Sequence, residues 1–268
     1  MSLIHSDEET GKDYAMVIDL ERCVGCHTCA VACKLENDTP LGYWWNRVLT
    51  VGGQNVDVPA GQYPDLSIHY LPFACQHCDD PPCVKVCPVG ATYKREADGA
   101  VVIDYERCIG CRYCVAACPY GVRVFNWGPA QRVPDFPVGF QGVHTDKYSS
   151  GNRVVFEPVR PVGVVEKCSF CVQRIDNDEL PFCVIVCPAR ARLFGSQKDP
   201  DSEVSKLLRN GFAFNLLPEL GTGPDVFFLP PRKKGPNLQK VPFTLLSDAR
   251  DPVQTDPAPA NEDKGGAQ

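Results

Sequence analysis

The chain has 268 residues, of which 44% are hydrophobic, and its formal net charge at pH 7 is -6. This length and composition are ordinary for a soluble globular protein with one large domain or two small ones. Nucleic-acid binding requires a basic face, which an acidic chain disfavours, so we expect no nucleic-acid partner.

Residues 1–15 are predicted to form an N-terminal tail. It is acidic and has neither a twin arginine nor an apolar core, so we expect no export signal. No uninterrupted apolar stretch is long enough to cross a bilayer, because residues 212–231 are broken by prolines, glycines and acidic side chains. Any membrane attachment is therefore expected to come from a partner.

The cysteines carry the strongest signal in the chain. All sixteen fall into four blocks of four. The blocks are Cys23-x2-Cys26-x2-Cys29-x3-Cys33, Cys75-x2-Cys78-x4-Cys83-x3-Cys87, Cys108-x2-Cys111-x2-Cys114-x3-Cys118 and Cys168-x2-Cys171-x11-Cys183-x3-Cys187. Closely spaced thiolates with a final cysteine that usually precedes proline are typical of bacterial iron–sulfur ferredoxins. Four blocks predict four [4Fe-4S] clusters and a role in electron transfer.

Two other uses of cysteine fit this pattern less well. A disulfide framework is disfavoured because the chain is long, lacks a signal peptide and leaves no cysteine outside the C-x2-C blocks. Zinc ribbons also contain C-x2-C pairs, but they do not explain the third and fourth cysteines followed by proline. Free thiolates at this density indicate assembly in a reducing compartment. We expect the protein in the cytoplasm or, through a partner, on the cytoplasmic face of the inner membrane, with periplasmic co-export on a signal-bearing partner as the alternative.

An internal repeat is visible, because VIDLERCVGC at residues 17–26 recurs as VIDYERCIGC at residues 102–111. Each copy predicts a short strand, Met16–Asp19 or Val101–Asp104, then a cluster-binding loop and a short helix that begins near the third cysteine. The chain is therefore interpreted as a duplicated ferredoxin.

The spacing between blocks predicts which of them form a cluster pair. In a two-cluster ferredoxin the first three cysteines of a block hold one cluster and the fourth reaches the other. Only twenty residues, with a hairpin-like pattern, separate the second block from the third, whereas 41 separate the first from the second and 49 the third from the fourth. Blocks two and three are expected to form one half, and blocks one and four the other.

Because the fourth cysteine of each block is expected to bind the cluster of its partner block, four ligand sets are predicted. They are Cys23, Cys26, Cys29 and Cys187 for cluster 1; Cys168, Cys171, Cys183 and Cys33 for cluster 2; Cys75, Cys78, Cys83 and Cys118 for cluster 3; and Cys108, Cys111, Cys114 and Cys87 for cluster 4. Each half would then fold only around both of its clusters.

The predicted fold class is α+β, a duplicated bacterial dicluster ferredoxin-like fold with long covering loops and a C-terminal extension. The expected units are the tail 1–15, a first half 16–40 plus 164–198, an insertion 41–70, a second half 71–130, an insertion 131–163, the extension 199–247 and an extended tail 248–268. The extension is expected to begin with a helix at Ser202–Asn210.

Several side chains near the blocks have open roles. His27 and His77 lie inside ligand loops, where they would tune a potential by hydrogen bonding or stay exposed. Four basic residues near the fourth block would raise a cluster potential, bridge to a catalytic subunit or compensate the charge of buried clusters; they are Lys167, Arg174, Arg190 and Arg192.

The chain resembles the iron–sulfur electron-transfer subunit of molybdopterin oxidoreductases of the dimethyl sulfoxide reductase superfamily, which includes polysulfide, tetrathionate, arsenate and phenylacetyl-CoA oxidoreductases. The resemblance covers roughly residues 14–232. It rests on the blocks and on the motifs LPFACQHCDDPPC at 71–83, CPYGVR at 118–123, EKCSFC at 166–171 and LGTGPDVFFLP at 220–230. It implies the same pairing of blocks that spacing suggests.

The resemblance implies a non-catalytic subunit that relays electrons between a molybdopterin subunit, with molybdenum or tungsten, and a quinone-reactive membrane anchor subunit. The sequence agrees in having no phosphate-binding loop, no flavin or nicotinamide fingerprint and no evident catalytic triad. Two alternatives are a conduit subunit of a hydrogenase or another multi-subunit redox enzyme, and a free polyferredoxin.

Overall fold

The structure, a computed structural model, describes residues 13–37, 39, 42–51, 58–128 and 162–232. Most of the predicted tail 1–15, nearly all of the insertion 131–163, the end of the extension 199–247 and the tail 248–268 lie outside the described residues.

The described chain is a mixture of short strands and short helices. The strands are β1 (Tyr14–Asp19), β2 (Asn46–Val51), β3 (Ala60–Gln62), β4 (Asp65–Ser67), β5 (His69–Ala74), β6 (Thr92–Lys94), β7 (Val101–Ile103), β8 (Val124–Phe125), β9 (Val165–Glu166), β10 (Arg192–Ser196) and β11 (Val226–Leu229). The helices are α1 (Thr28–Glu36), α2 (Pro82–Lys85), α3 (Tyr113–Ala117), α4 (Val172–Ile175), α5 (Phe182–Ile185) and α6 (Glu203–Arg209), and a 3₁₀ turn covers Pro218–Leu220.

A three-stranded sheet in the order β10-β1-β11 joins distant parts of the sequence. β1 is antiparallel to β10, with Val17 opposite Leu193, and parallel to β11, with Met16 opposite Val226. Alternate residues of a strand point to opposite faces. Met16 therefore packs into the main core, while Val17 packs on the other face against Val204 of α6. The C-terminal extension is thus built into the sheet that begins the first block.

The remaining strands form separate antiparallel pairs, β2 with β5, β3 with β4, β6 with β7 and β8 with β9. The β6–β7 pair lies between the second and third blocks, where the sequence predicts a hairpin. The predicted boundary between residues 70 and 71 falls inside β5, whose six residues all pair with β2. The predicted insertion and the predicted second half therefore share a strand pair.

Helices from different blocks pack in two couples. α1 of the first block contacts α5 of the fourth, and α2 of the second contacts α3 of the third. α1 and α3 each begin one residue before the third cysteine of their block. The predicted helix at Ser202–Asn210 is present as α6, with those two residues as its caps.

The segment that follows the 3₁₀ turn connects the second block to the sheet. Asp79 and Asp80 donate backbone hydrogen bonds to Gly223 and Thr222, at 2.6 and 3.0 Å. The Tyr120 hydroxyl lies 2.7 Å from the Thr222 hydroxyl, and both side chains are buried. Within the described residues, no helix is long and apolar enough to span a membrane.

Candidate functional site

All sixteen cysteines lie within the described residues, and none of them forms a disulfide. Cys26 and Cys111 are exposed and the others are buried or half-buried. These two exposed thiols occupy the same position in the two copies of the repeat, each on a loop whose apolar tip, Val24 or Ile109, also faces solvent.

The fourth cysteine of the first block lies among the cysteines of the fourth block. Burial raises the pKa of Cys33 well above its ordinary value, and the charges of Cys168, Cys171 and Cys183 raise it further. The Asn37 amide donates to Cys33 Sγ at 3.5 Å. One thiol of the first block and three of the fourth are therefore close enough for their charges to interact.

The converse contact joins the first block to Cys187. Burial raises the pKa of Cys23, and the neighbouring thiols Cys29 and Cys187 add to the increase. Cys26 belongs to the same loop, but its pKa is lowered, first by a hydrogen bond with the Thr28 side chain. The structure therefore brings Cys187 to the first block, with Cys26 at the solvent edge.

Cys75, Cys78, Cys83 and Cys118 line one cavity, although Cys118 belongs to a different block from the other three. Burial raises the pKa of Cys78 to about 12, and the other three thiols contribute to the increase. The cavity is also lined by Arg123. It is thus a pocket of four sulfur donors with a cationic side chain in its wall.

The thiols of the third block lie close to Cys83 of the second. Burial raises the pKa of Cys114, and the charges of Cys83 and Cys108 contribute. Cys87 Sγ accepts a hydrogen bond from the Thr92 N–H at 3.5 Å, just as Cys187 Sγ accepts one from the Ala191 N–H at 3.3 Å. Such N–H···S bonds stabilise thiolates that hold an iron–sulfur cluster.

Three charge interactions, each of which raises the pKa of a thiol in one group through a thiol of the next, connect the four groups in a row. Cys29 acts on Cys183, which links the group around Cys23 to the group around Cys33. Cys75 acts on Cys168 and links that second group to the cavity. Cys83 acts on Cys114 and links the cavity to the third block. The groups around Cys23, Cys33, Cys75 and Cys114 are therefore neighbours in that order.

The residues present suit an iron–sulfur cofactor. Burial disfavours a charged thiolate and raises the pKa of deeply placed thiols such as Cys33, Cys78 and Cys168, which a bound cation would reverse. Two guanidinium groups are also buried among them, Arg123 with 3% exposure and Arg192 with 3%. Neither forms an ion pair with a carboxylate in the described part of the chain. A buried charge needs a counter-charge, and among the described residues the charges that act most strongly on both guanidinium groups are those of cysteine thiolates.

The side chains near the blocks have different environments. Lys167 and Arg192 are buried, Arg190 is exposed, and Arg174 pairs with Glu36 at 3.3 Å and with a second carboxylate. Of the two histidines, His27 is exposed and His77 is fully buried.

His77 lies where the second block meets the fourth. Its ring stacks on Phe170 with centroids 3.5 Å apart, and its Nδ1 accepts the Val101 N–H at 3.1 Å. Burial lowers the pKa of His77 well below its ordinary value, and the nearby Lys167 charge lowers it further. His77 thus packs in the junction between the two blocks, with its Nδ1 unprotonated because it accepts the Val101 N–H.

The sequence interpretation did not single out Arg123. The signal that could have found it is its position, five residues after the last cysteine of its block, because Arg192 follows Cys187 at the same distance.

The chain matches two family models, a 4Fe-4S dicluster domain over residues 66–132 and a 4Fe-4S binding domain over residues 14–35. It is 49% identical to the iron-sulfur subunit of a putative dimethyl sulfoxide reductase of Halobacterium salinarum, over 81% of this chain and 79% of that protein. It is 42% identical to a subunit of the selenate reductase of Mesobacillus selenatarsenatis, over 81% and 71%. It is also 39% identical to the iron-sulfur cluster-binding subunit of menaquinone reductase of Nitratidesulfovibrio vulgaris, over 82% and 89%.

These relatives are iron–sulfur electron-transfer subunits of redox enzyme complexes, and the matched domains bind [4Fe-4S] clusters. The chain belongs to the family of iron–sulfur subunits of dimethyl sulfoxide reductase type molybdoenzymes.

Proposed function

We propose that this protein is a non-catalytic subunit that carries four [4Fe-4S] clusters and relays electrons from one end of the molecule to the other. A bound cluster accepts and releases one electron at a time. The chain supplies the thiolates, the N–H donors and the cations that hold each cluster and set its potential.

The observation that carries the proposal is the cavity lined by four cysteines from two blocks. Its donors are those proposed for cluster 3, namely Cys75, Cys78, Cys83 and Cys118. A set of sulfur donors with a cationic wall suits an anionic iron–sulfur cluster, whose core and four thiolates together carry about −2.

The other three ligand sets rest on the same kind of proximity. Cys33 beside the fourth block supports its assignment to cluster 2, and Cys187 beside Cys23 supports its assignment to cluster 1. For cluster 4 the support is the closeness of Cys108 to Cys114. Cys111 and Cys87 are assigned to that set from the spacing of the blocks.

The duplicated ferredoxin-like architecture is part of the proposal. The packing of α1 on α5 and of α2 on α3 supports a first half from blocks one and four and a second from blocks two and three. We propose the unit boundaries given above, with two adjustments: β1 begins inside the tail 1–15, and β5 crosses from 41–70 into 71–130.

The proposed partners are a molybdopterin catalytic subunit and a quinone-reactive membrane subunit. The names of the relatives support both, because they include a dimethyl sulfoxide reductase, a selenate reductase and a menaquinone reductase. We propose that clusters are inserted in the cytoplasm. The complex would then stay on the cytoplasmic face of the membrane or be exported with a signal-bearing partner.

The test is anaerobic purification of the tagged chain from its native host, followed by identification of its companions by mass and measurement of their metals. We expect a large companion that contains molybdenum or tungsten. A nickel-containing companion would replace the proposal with a hydrogenase conduit, and a stable iron-loaded monomer would replace it with a free polyferredoxin.

A further inference from the structure

Each boundary between neighbouring groups of thiols contains a buried cation. Arg192 and Arg123 are each 3% exposed and Lys167 is 2% exposed. Lysine and arginine are almost never fully buried unless a partner compensates the charge. Three such residues in one row of thiols therefore need a common explanation.

Arg192 lies between the first two groups. Its Nη1 donates to Cys183 Sγ at 3.7 Å, and its Nη2 donates to the Asn46 side chain at 2.9 Å. It also interacts with Cys29, the third cysteine of the first block. The guanidinium thus contacts the third cysteine of each block in its half, and these are the thiols that link the two groups.

Arg123 has the equivalent position in the other half. Its Nη2 donates to Cys83 Sγ at 2.9 Å, and its Nη1 donates to the Thr92 hydroxyl at 3.2 Å. It forms a further hydrogen bond with Cys114. Cys83 and Cys114 are again the third cysteines of their blocks. Each half therefore places an arginine against the third cysteines of both of its blocks, although the two arginines follow blocks of different spacing.

Lys167 occupies the boundary between the halves. Its ammonium group donates to the carbonyl oxygens of Val101 and Cys168, the latter at 2.7 Å. Cys168 is the thiol on which Cys75 acts across this boundary. The lysine is therefore held by backbone oxygens at the point where the second group of thiols meets the third.

We propose that Arg192, Lys167 and Arg123 are positioning residues for electron transfer, each of which raises the reduction potentials of the two clusters on either side of it. This inference rests on the proposed function, because it requires a cluster in each group. A fixed cation between two anionic clusters stabilises the reduced form of both and weakens the repulsion between them. Simple charge compensation would need no particular placement, whereas all three cations lie on the path between neighbouring groups.

The experiment compares Arg123→Met with Arg123→Lys in the purified native complex, by low-temperature EPR during a redox titration. We expect Arg123→Met to make reduction of clusters 3 and 4 at least about tenfold less favourable, which is a shift of about 59 mV for one electron. Arg123→Lys retains the charge and is expected to recover more than half of that shift. The first half should keep its midpoints.

Arg107→Met is the matched control, because Arg107 precedes the ligand Cys108 in sequence, yet its side chain is 69% exposed and pairs with Asp104. We expect Arg107→Met to change the equilibrium constant for reduction of each cluster less than about twofold, since water and salt screen an exposed charge. Equal shifts for Arg107→Met and Arg123→Met, or unchanged midpoints in Arg123→Met with full iron, would overturn the inference and leave the proposed function intact. A deficit of iron in the unsubstituted protein would instead overturn the proposed function.

If Arg123→Met loses iron and cannot be titrated, a second measurement on the unsubstituted protein tests the placement of the arginines. Arginine labelled with ¹⁵N only in the guanidinium group is incorporated, and pulsed EPR of the reduced clusters measures nitrogen hyperfine coupling. Coupling to the labelled nitrogens is expected from the Arg123 and Arg192 contacts with Cys83 and Cys183. Its absence would refute the placement.

Discussion

Asp225 is a buried carboxyl group whose replacement by asparagine is expected to stabilise the protein. It is 2% exposed and follows the segment that binds the second block. Its Oδ1 accepts the Gln197 amide at 2.9 Å, while its Oδ2 lies 3.8 Å from the Lys94 ammonium. Burial, and then the charge of Asp79, raise the pKa of Asp225 from 3.8 to about 7. The folded protein therefore holds a proton there that the unfolded chain releases.

The magnitude follows from the pKa difference. Below pH 4 the carboxyl is protonated in both states and has no effect. Between pH 4 and 7 only the unfolded chain ionises, so stability falls by about 1.4 kcal/mol per pH unit, and above pH 7 the loss levels off at about 4 kcal/mol as an upper bound. An asparagine side chain at this position would not titrate, and its amide oxygen would still accept the Gln197 hydrogen bond. At roughly 2 to 4 °C per kcal/mol, Asp225→Asn should raise the melting temperature by about 10 °C at pH 8.

The assay is anaerobic thermal unfolding of the iron-loaded protein at pH 5 and pH 8, monitored by circular dichroism and by the cluster absorbance. The gain in Asp225→Asn should be about threefold larger at pH 8 than at pH 5. Asp80→Asn is the control, because Asp80 is exposed and paired with Lys85, and it should give no such pH-dependent gain. A melting temperature that falls at pH 8, or a gain independent of pH, would refute the reasoning.

Three further outcomes are expected. Gly110→Ala should prevent iron loading because a Cβ there would lie 2.0 Å from the Gly163 oxygen, whereas Gly90→Ala, with a similar positive φ but open space, should load normally; equal iron contents would contradict this. Thr222→Val should lower stability by about 1 to 2 kcal/mol through loss of the buried hydrogen bond with Tyr120, and Thr222→Ser should retain it; thermal melts of both variants decide. Removal of iron by a chelator under reducing conditions should abolish the cooperative melt, because the free energy of cluster binding is part of the free energy of folding; an apoprotein that melts like the loaded form would count against the proposed ligands.

The local elements were accessible from the sequence because their determinants are local. The repeat gives β1 and β7 and the short helices that begin next to Cys29 and Cys114. Ser202–Asn210 predicts α6 within one residue at each end, because apolar spacing and turn residues set its limits.

The long-range arrangement was not accessible in the same way. Nothing in the sequence near β11 says that it pairs in parallel with β1, about 200 residues earlier. The spacing of Arg123 from Cys118 could have drawn attention to it, but its contact with Cys83 is known only from the structure, as is the stacking of the His77 ring on Phe170. Burial of such groups depends on the tertiary contacts between blocks, which spacing constrains but does not specify.

The central claim is that the sixteen cysteines hold four [4Fe-4S] clusters, and iron and sulfide analysis of the anaerobically isolated native complex tests it most directly. The account predicts about sixteen iron and about sixteen sulfide atoms in this subunit, four of each per cluster, with EPR signals from interacting [4Fe-4S] clusters on reduction. Zinc in place of iron, or iron sufficient for only two clusters, would contradict it.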